Sequence, residues 1–69
     1  MRGAVVLLAP EAVIELNPEG AEVLSLCDGT RTEAEIVDEM ARRHRQDVAA
    51  DVRAFLGRVV ERGWVEISG

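Results

Sequence analysis

The sequence predicts an α+β domain in which an N-terminal β-hairpin is followed by a three-helix bundle. Two observations lead there. Two short apolar stretches, Ala4–Leu8 and Ala12–Leu16, flank Ala9-Pro10-Glu11, and such stretches on either side of a proline turn read as strands. From Pro18 onward the apolar residues recur at helical spacing. The clearest case is Val48, Val52, Phe55, Leu56, Val59 and Val60, which together cover one face of a helix.

The first strand, Ala4-Val5-Val6-Leu7-Leu8, is apolar and partly β-branched. Pro10 presets φ for a turn and offers no N–H to a ladder. In the returning strand, Ala12, Ile14 and Leu16 share one face, while Val13 and Glu15 share the other. The first of these faces is expected to pack on the helices.

Asn17-Pro18 reads as a helix start, because Asn accepts from free N–H groups and Pro suits the first helical position. Glu19 and Glu22 lie near the positive end of that helix dipole. Val23, Leu24, Leu26 and Cys27 make the helix apolar almost all round, and Asp28-Gly29 is expected to end it. Thr32-Glu33-Ala34-Glu35 matches a capping box for a second helix running to His44 or Arg45. Its buried stripe is Ile36, Val37, Met40 and Ala41, with Asp38–Arg42 and Glu39–Arg43 as i,i+4 ion pairs.

Asp47 is placed to cap the third helix, which begins near Val48. Gly57 interrupts it at a cost of about 1 kcal/mol relative to Ala, and close approach of another backbone is the expected reason. Gly63 ends the helix. Trp64-Val65-Glu66-Ile67 alternates, as a short extended tail would. A hairpin (4–16) beside a helical part and tail (18–67) is winged helix-turn-helix-like, a statement about architecture alone.

Composition narrows the function. At 69 residues the chain is one domain, with 48% hydrophobic residues to form a single core. One Cys and one His make neither a disulfide framework nor a zinc site within the chain. The apolar stretch Ala4–Pro10 is far short of the roughly 20 residues that span a bilayer, so no membrane partner is expected and the cytoplasm is the expected compartment. The net charge of −5 disfavours nucleic acid. Nine of thirteen acids lie between Glu11 and Glu39, and six of eight arginines between Arg42 and Arg62. That asymmetry suits a solvated surface, or one that orients a charged partner.

Several stretches resemble the PqqD family of pyrroloquinoline quinone biosynthesis. They are Leu7-Leu8-Ala9-Pro10-Glu11, Ile14-Glu15-Leu16-Asn17, and Leu26-Cys27-Asp28-Gly29-Thr30-Arg31-Thr32 with Glu35-Ile36. Asp51-Val52 with Phe55-Leu56, and Glu61-Arg62-Gly63, complete the set. The resemblance covers nearly the whole chain and rests on order and spacing rather than on one motif. It implies a non-enzymatic, cofactor-free recognition element for a ribosomally made peptide. Such a protein binds the precursor PqqA and presents it to the radical SAM enzyme PqqE, which joins a Glu and a Tyr side chain of the precursor. Related domains serve other peptide-modifying pathways, including those of lasso peptides.

The resemblance also implies how binding works. A leader peptide adds to the last strand of the sheet and packs against the last helix, so that main-chain bonds supply affinity and apolar pockets supply register. Carried onto this sequence, the edge is Ala12, Val13, Ile14, Glu15 and Leu16. The apolar wall is Val48, Val52, Phe55 and Val59, with Asp51 at the rim for a basic residue. Such a stripe is also what a plain helical core looks like. Family members carry a further strand before the hairpin, for which Met1-Arg2-Gly3 leaves no room. Either the start is short or a neighbouring molecule fills the gap, and some homodimer is expected.

Three rival readings compete. A winged-helix outline suggests DNA binding, but the second helix carries Glu33, Glu35, Asp38 and Glu39 where a basic face is needed. An enzyme would need a nucleophile–base pair, phosphate loop or metal spacing, and none is visible. A pure oligomerisation module would use the exposed hairpin. Outside the wall, Cys27 is expected as a buried hydrophobe and His44 as a surface residue at a helix C-terminus. Trp64 is expected to cover the core or to anchor an interface.

Overall fold

The structure is a computed structural model and describes residues 2–9 and 18–68. In chain order the described elements are β1 (Ala4–Leu7), α1 (Pro18–Ser25), β2 (Asp28–Thr32), α2 (Glu33–His44), α3 (Ala49–Glu61) and β3 (Val65–Ile67).

β1 lies at the centre of a three-stranded sheet of order β2-β1-β3, antiparallel to both neighbours. Val5, Val6 and Leu7 face Ile67, Glu66 and Val65 across one edge. Ala4 and Val6 face Thr32 and Asp28 across the other. On that side the register is irregular between Ala4 and Val6. Gly29, within β2, takes φ 85°, open to glycine without a Cβ penalty.

This pairing corrects the expected hairpin. Both ladder edges of β1 are taken by strands distant in sequence, whereas the sequence reading paired it with the stretch that follows. The return strand expected at Ala12–Leu16 lies outside the described residues. Asp28-Gly29 is also more than a helix stop. α1 closes earlier, through Leu26 N–H to Val23 C=O (3.1 Å) and Cys27 N–H to Leu24 C=O (3.0 Å). Asp28–Thr32 then extends along β1. Its sequence DGTRT has no apolar alternation, so only the neighbouring edge makes it a strand. The tail expected from Trp64 is β3.

The helix ends follow local chemistry closely. Thr32 Oγ1 accepts from Glu35 N–H (3.3 Å) and Glu35 Oε1 accepts from Thr32 N–H (2.8 Å), which is the capping box. Asp47 Oδ1 accepts from Ala49 N–H at 3.1 Å, while Val48 occupies the boundary position itself. α3 ends in a Schellman motif. Gly63, at φ 76°, donates to Val60 C=O (3.0 Å), and Trp64 donates to Val59 C=O (2.9 Å).

The core joins one side of the sheet to all three helices. Val5, Leu24, Cys27, Ile36 and Leu56 are its most enclosed members. The stripe on α2 is buried at Ile36, Val37 and Met40, and Ala41 is only half-buried. On α3, Val52, Leu56 and Val59 are buried, Val48 and Phe55 are half-buried, and Val60 is exposed. Gly57 faces solvent, and a Cβ there would meet nothing within 4 Å. Among the described residues no backbone approaches it, contrary to expectation. Trp64 packs half-buried against the core, with the Arg62 guanidinium 5.3 Å from its ring centroid.

Candidate binding site

The third helix carries two neighbouring faces. Val52, Leu56 and Val59 point into the core. Val48, Asp51, Val52, Phe55 and Arg58 recur at i, i+3, i+4, i+7 and i+10 and form one wall of a cavity of about 590 Å³. The first turn of α1, at Glu19 and Gly20, and Val23 beyond it, form a second wall. Met40 and His44 from α2 form the third, and Gln46 closes the turn between α2 and α3.

The floor is apolar. Val23, Met40 and Val52 are each no more than 4% exposed, while Phe55 and Val48 stand half-buried on the wall. A volume of this size lies within the roughly 300–1,000 Å³ of ordinary ligand pockets. It has room for apolar side chains of a guest, each of which would gain about 1.5–3 kcal/mol on full burial.

A polar network fixes the walls beside the cavity. Glu22 Oε2 on α1 accepts from Arg43 Nη1 at 3.0 Å, and Glu22 Oε1 lies 2.9 Å from His44 Nε2. Glu39 holds the same arginine from below, with Arg43 Nε donating to Oε2 at 2.8 Å and Arg42 Nη2 donating to Oε1 at 2.6 Å. Asp38 is 3.9 Å from Arg42. The Arg43 hydrogen bond, then that of His44, holds the Glu22 carboxyl below its ordinary range. The Arg43 hydrogen bond does the same for Glu39, and these two acceptors raise Arg43 in turn. His44 is exposed at the C-terminal end of α2, as the sequence suggested, and is in addition tied to α1.

The rim charges differ. Among the described residues, Glu19, Asp51 and Arg58 have no hydrogen-bond or ion-pair partner for their side chains. They surround an apolar cavity without neutralising one another.

Of the sequence-predicted site residues, the structure brings Val48, Asp51, Val52 and Phe55 together. Val59 is 3% exposed and belongs to the core, away from the cavity lining. Ala12, Val13, Ile14, Glu15 and Leu16 lie outside the described residues. Sequence reasoning did not place Val23, Met40, His44, Glu19 or Arg58 here. Arg58 was within reach, since it stands three residues beyond Phe55 on the same face. The others come from helices whose mutual placement no local pattern encodes.

The family described as Coenzyme PQQ synthesis protein D (PqqD) matches residues 4–65. The chain belongs to the PqqD family. A PqqA binding protein of Stutzerimonas stutzeri (strain A1501) is 44% identical over 64 residues, 90% of this chain and 70% of the relative. One of Methylococcus capsulatus is 39% identical over 61 residues, 87% of this chain and 66% of the relative. One of Rhodopseudomonas palustris (strain HaA2) is 38% identical over 63 residues, 87% of this chain and 62% of the relative. This PqqD-family chain therefore matches about two-thirds of the length of these relatives. No solved structure gives a significant match to it.

Two features bear on its chemistry. Among the described residues, no group of three or more His, Cys, Asp or Glu is placed to hold a metal ion. Cys27 is enclosed, its Sγ 3.4 Å from Val23 C=O, and burial pushes its thiol up to about 11. No helix among the described residues is long and apolar enough to cross a membrane.

Proposed function

We propose that this chain is a non-enzymatic recognition domain of the cytoplasm that binds the precursor peptide PqqA and presents it to the radical SAM enzyme PqqE. One observation carries the reading. In a member of the PqqD family, α3 turns Val48, Val52 and Phe55 toward an apolar cavity rimmed by Glu19, Asp51 and Arg58, whose side chains have no partner among the described residues. The relatives at 38–44% identity are themselves named for binding PqqA.

In this reading the guest lies extended against α3 and seats apolar side chains in the cavity. Its backbone adds to the edge proposed at Ala12–Leu16, where ladder bonds supply affinity with little sequence demand. The α2–α3 pair, joined by a short turn and flanked by the sheet, then serves as a winged helix-turn-helix-like frame turned to peptide binding. A homodimer belongs to the same proposal, as an alternative occupant of that edge.

Titration of the labelled protein with synthetic PqqA, followed by NMR, tests the proposal. Amide shifts are expected at Val48, Val52, Phe55, Met40 and His44. Val13→Pro and Ile14→Pro, once shown to fold, are expected to weaken binding by removing ladder donors. Shifts confined to the β2 side of the sheet would sink the reading.

A further inference from the structure

The cavity is electrically polarised along α3. Asp51 stands in the first turn of α3 and Arg58 in its last, with Val52 and Phe55 between them, while Glu19 joins the lining from the first turn of α1. Most charges elsewhere on the helices are consumed within the fold. Glu22, Glu39, Arg42 and Arg43 form one network, Asp28 holds Arg31 at 3.1 Å, and Glu33 is 3.6 Å from Arg53. Glu19, Asp51 and Arg58 have no such partner among the described residues, although all three line the same concavity.

We infer that Asp51 and Arg58 read the charge pattern of an extended peptide guest. Asp51 takes a basic side chain, Arg58 takes an acidic one, and apolar side chains of the guest between them fill the cavity. The inference rests on the peptide-binding reading above and adds the chemistry of the guest and the order of its charges along α3. Asp51 and Arg58 are seven residues apart on one helix, or about 10 Å at 1.5 Å per residue. An extended chain covers that in about three residues at roughly 3.3 Å each. Side chains on one face of a strand recur every second residue, so the basic and acidic residues stand four positions apart with one apolar residue between them on the same face. The order is set as well, with the base over the start of α3 and the acid over its later turns. Unpaired rim charges of this kind set register and orientation more than raw affinity.

The test uses two synthetic nine-residue peptides of alternating apolar and Thr residues, blocked at both ends. One carries Lys and Glu four positions apart, and the other carries Gln at both sites. Both are titrated by NMR into the wild-type chain and into the Asp51→Asn/Arg58→Gln double variant, whose thermal midpoint is measured alongside. The Lys/Glu peptide is expected to bind the wild type about three- to tenfold more tightly. That advantage should vanish in the double variant at an unchanged midpoint, and shrink in 0.5 M salt. Equal affinity of the two peptides, no binding of either, or an advantage that survives in the double variant overturns the inference. PqqA is titrated in parallel. If the wild type ignores PqqA yet prefers the Lys/Glu peptide, the proposed function fails and the polarised site stands. If PqqA binds wild type and double variant alike while the peptides are not distinguished, the reverse holds.

Discussion

Arg43 Nη1 donates to Glu22 Oε2 across 3.0 Å, tying the last turn of α2 to the middle of α1, 21 residues away in sequence. The same carboxylate meets His44, a lining residue of the cavity. Glu22 is thus the joint between two of the three cavity walls. Its carboxyl is held below the ordinary range, first by the Arg43 hydrogen bond and then by that of His44. A group whose folded pKa is depressed stabilises the fold above its unfolded value and loses that contribution as pH falls through the folded one. Stability should therefore decline as pH drops below the ordinary Glu value of 4.5. Glu22→Gln should flatten the dependence in a denaturation series from pH 6 to pH 3.

Phe55 and Leu56 are neighbours with different duties. Leu56 is 2% exposed in the core, whereas Phe55 stands half-buried on the cavity wall. Leu56→Ala should cost about 2–5 kcal/mol of stability, with loss of binding following from loss of fold. Phe55→Ala should cost clearly less stability and weaken PqqA binding at least tenfold in folded protein. Denaturant melts paired with calorimetric titration separate the two effects.

Gly57 lies within α3 with open space around it. Glycine inside a helix costs about 1 kcal/mol relative to Ala through lost chain entropy. With no backbone among the described residues to accommodate, Gly57→Ala should raise stability by about that much in urea denaturation and leave peptide binding unchanged.

Arg45 closes α2 at φ 52°, the sole non-glycine with positive φ among the described residues. A Cβ in that conformation is strained by about 1–2 kcal/mol. Arg45→Gly should relieve the strain, offset in part by greater freedom of the unfolded chain, for a net gain of about 0.5–1 kcal/mol. A rise in thermal midpoint with the cavity-lining amide shifts in place would be the expected result.

Cys27 should be nearly inert to alkylation at pH 8, since its thiol is enclosed and pushed up to about 11. Its reaction with iodoacetamide should speed up with urea as the fold opens. The raised pKa also means that the unfolded chain releases the thiol proton first as pH climbs past 9.0, so stability should fall between there and about 11.

Local chemistry was legible from the residues themselves. The capping box at Thr32 and Glu35, the stop at Gly63 and the stripe from Val48 to Val59 each need only neighbours within a turn or two, and periodicity reports these directly. Family membership was equally legible, because it rests on residue order. The sheet was not. β2 has a turn-like sequence and becomes a strand because β1 offers an edge, and β1 pairs with two distant segments rather than with a hairpin partner. The site was half legible for the same reason. Val48, Asp51, Val52 and Phe55 share one helix, so spacing alone aligns them. Val23, Met40, His44 and Glu19 join them only because α1 and α2 pack where they do. Helical period is a property of a few consecutive residues, whereas the meeting of walls from separate helices depends on how side chains fill the space between them. The cavity and its unpaired charges were settled at that second level.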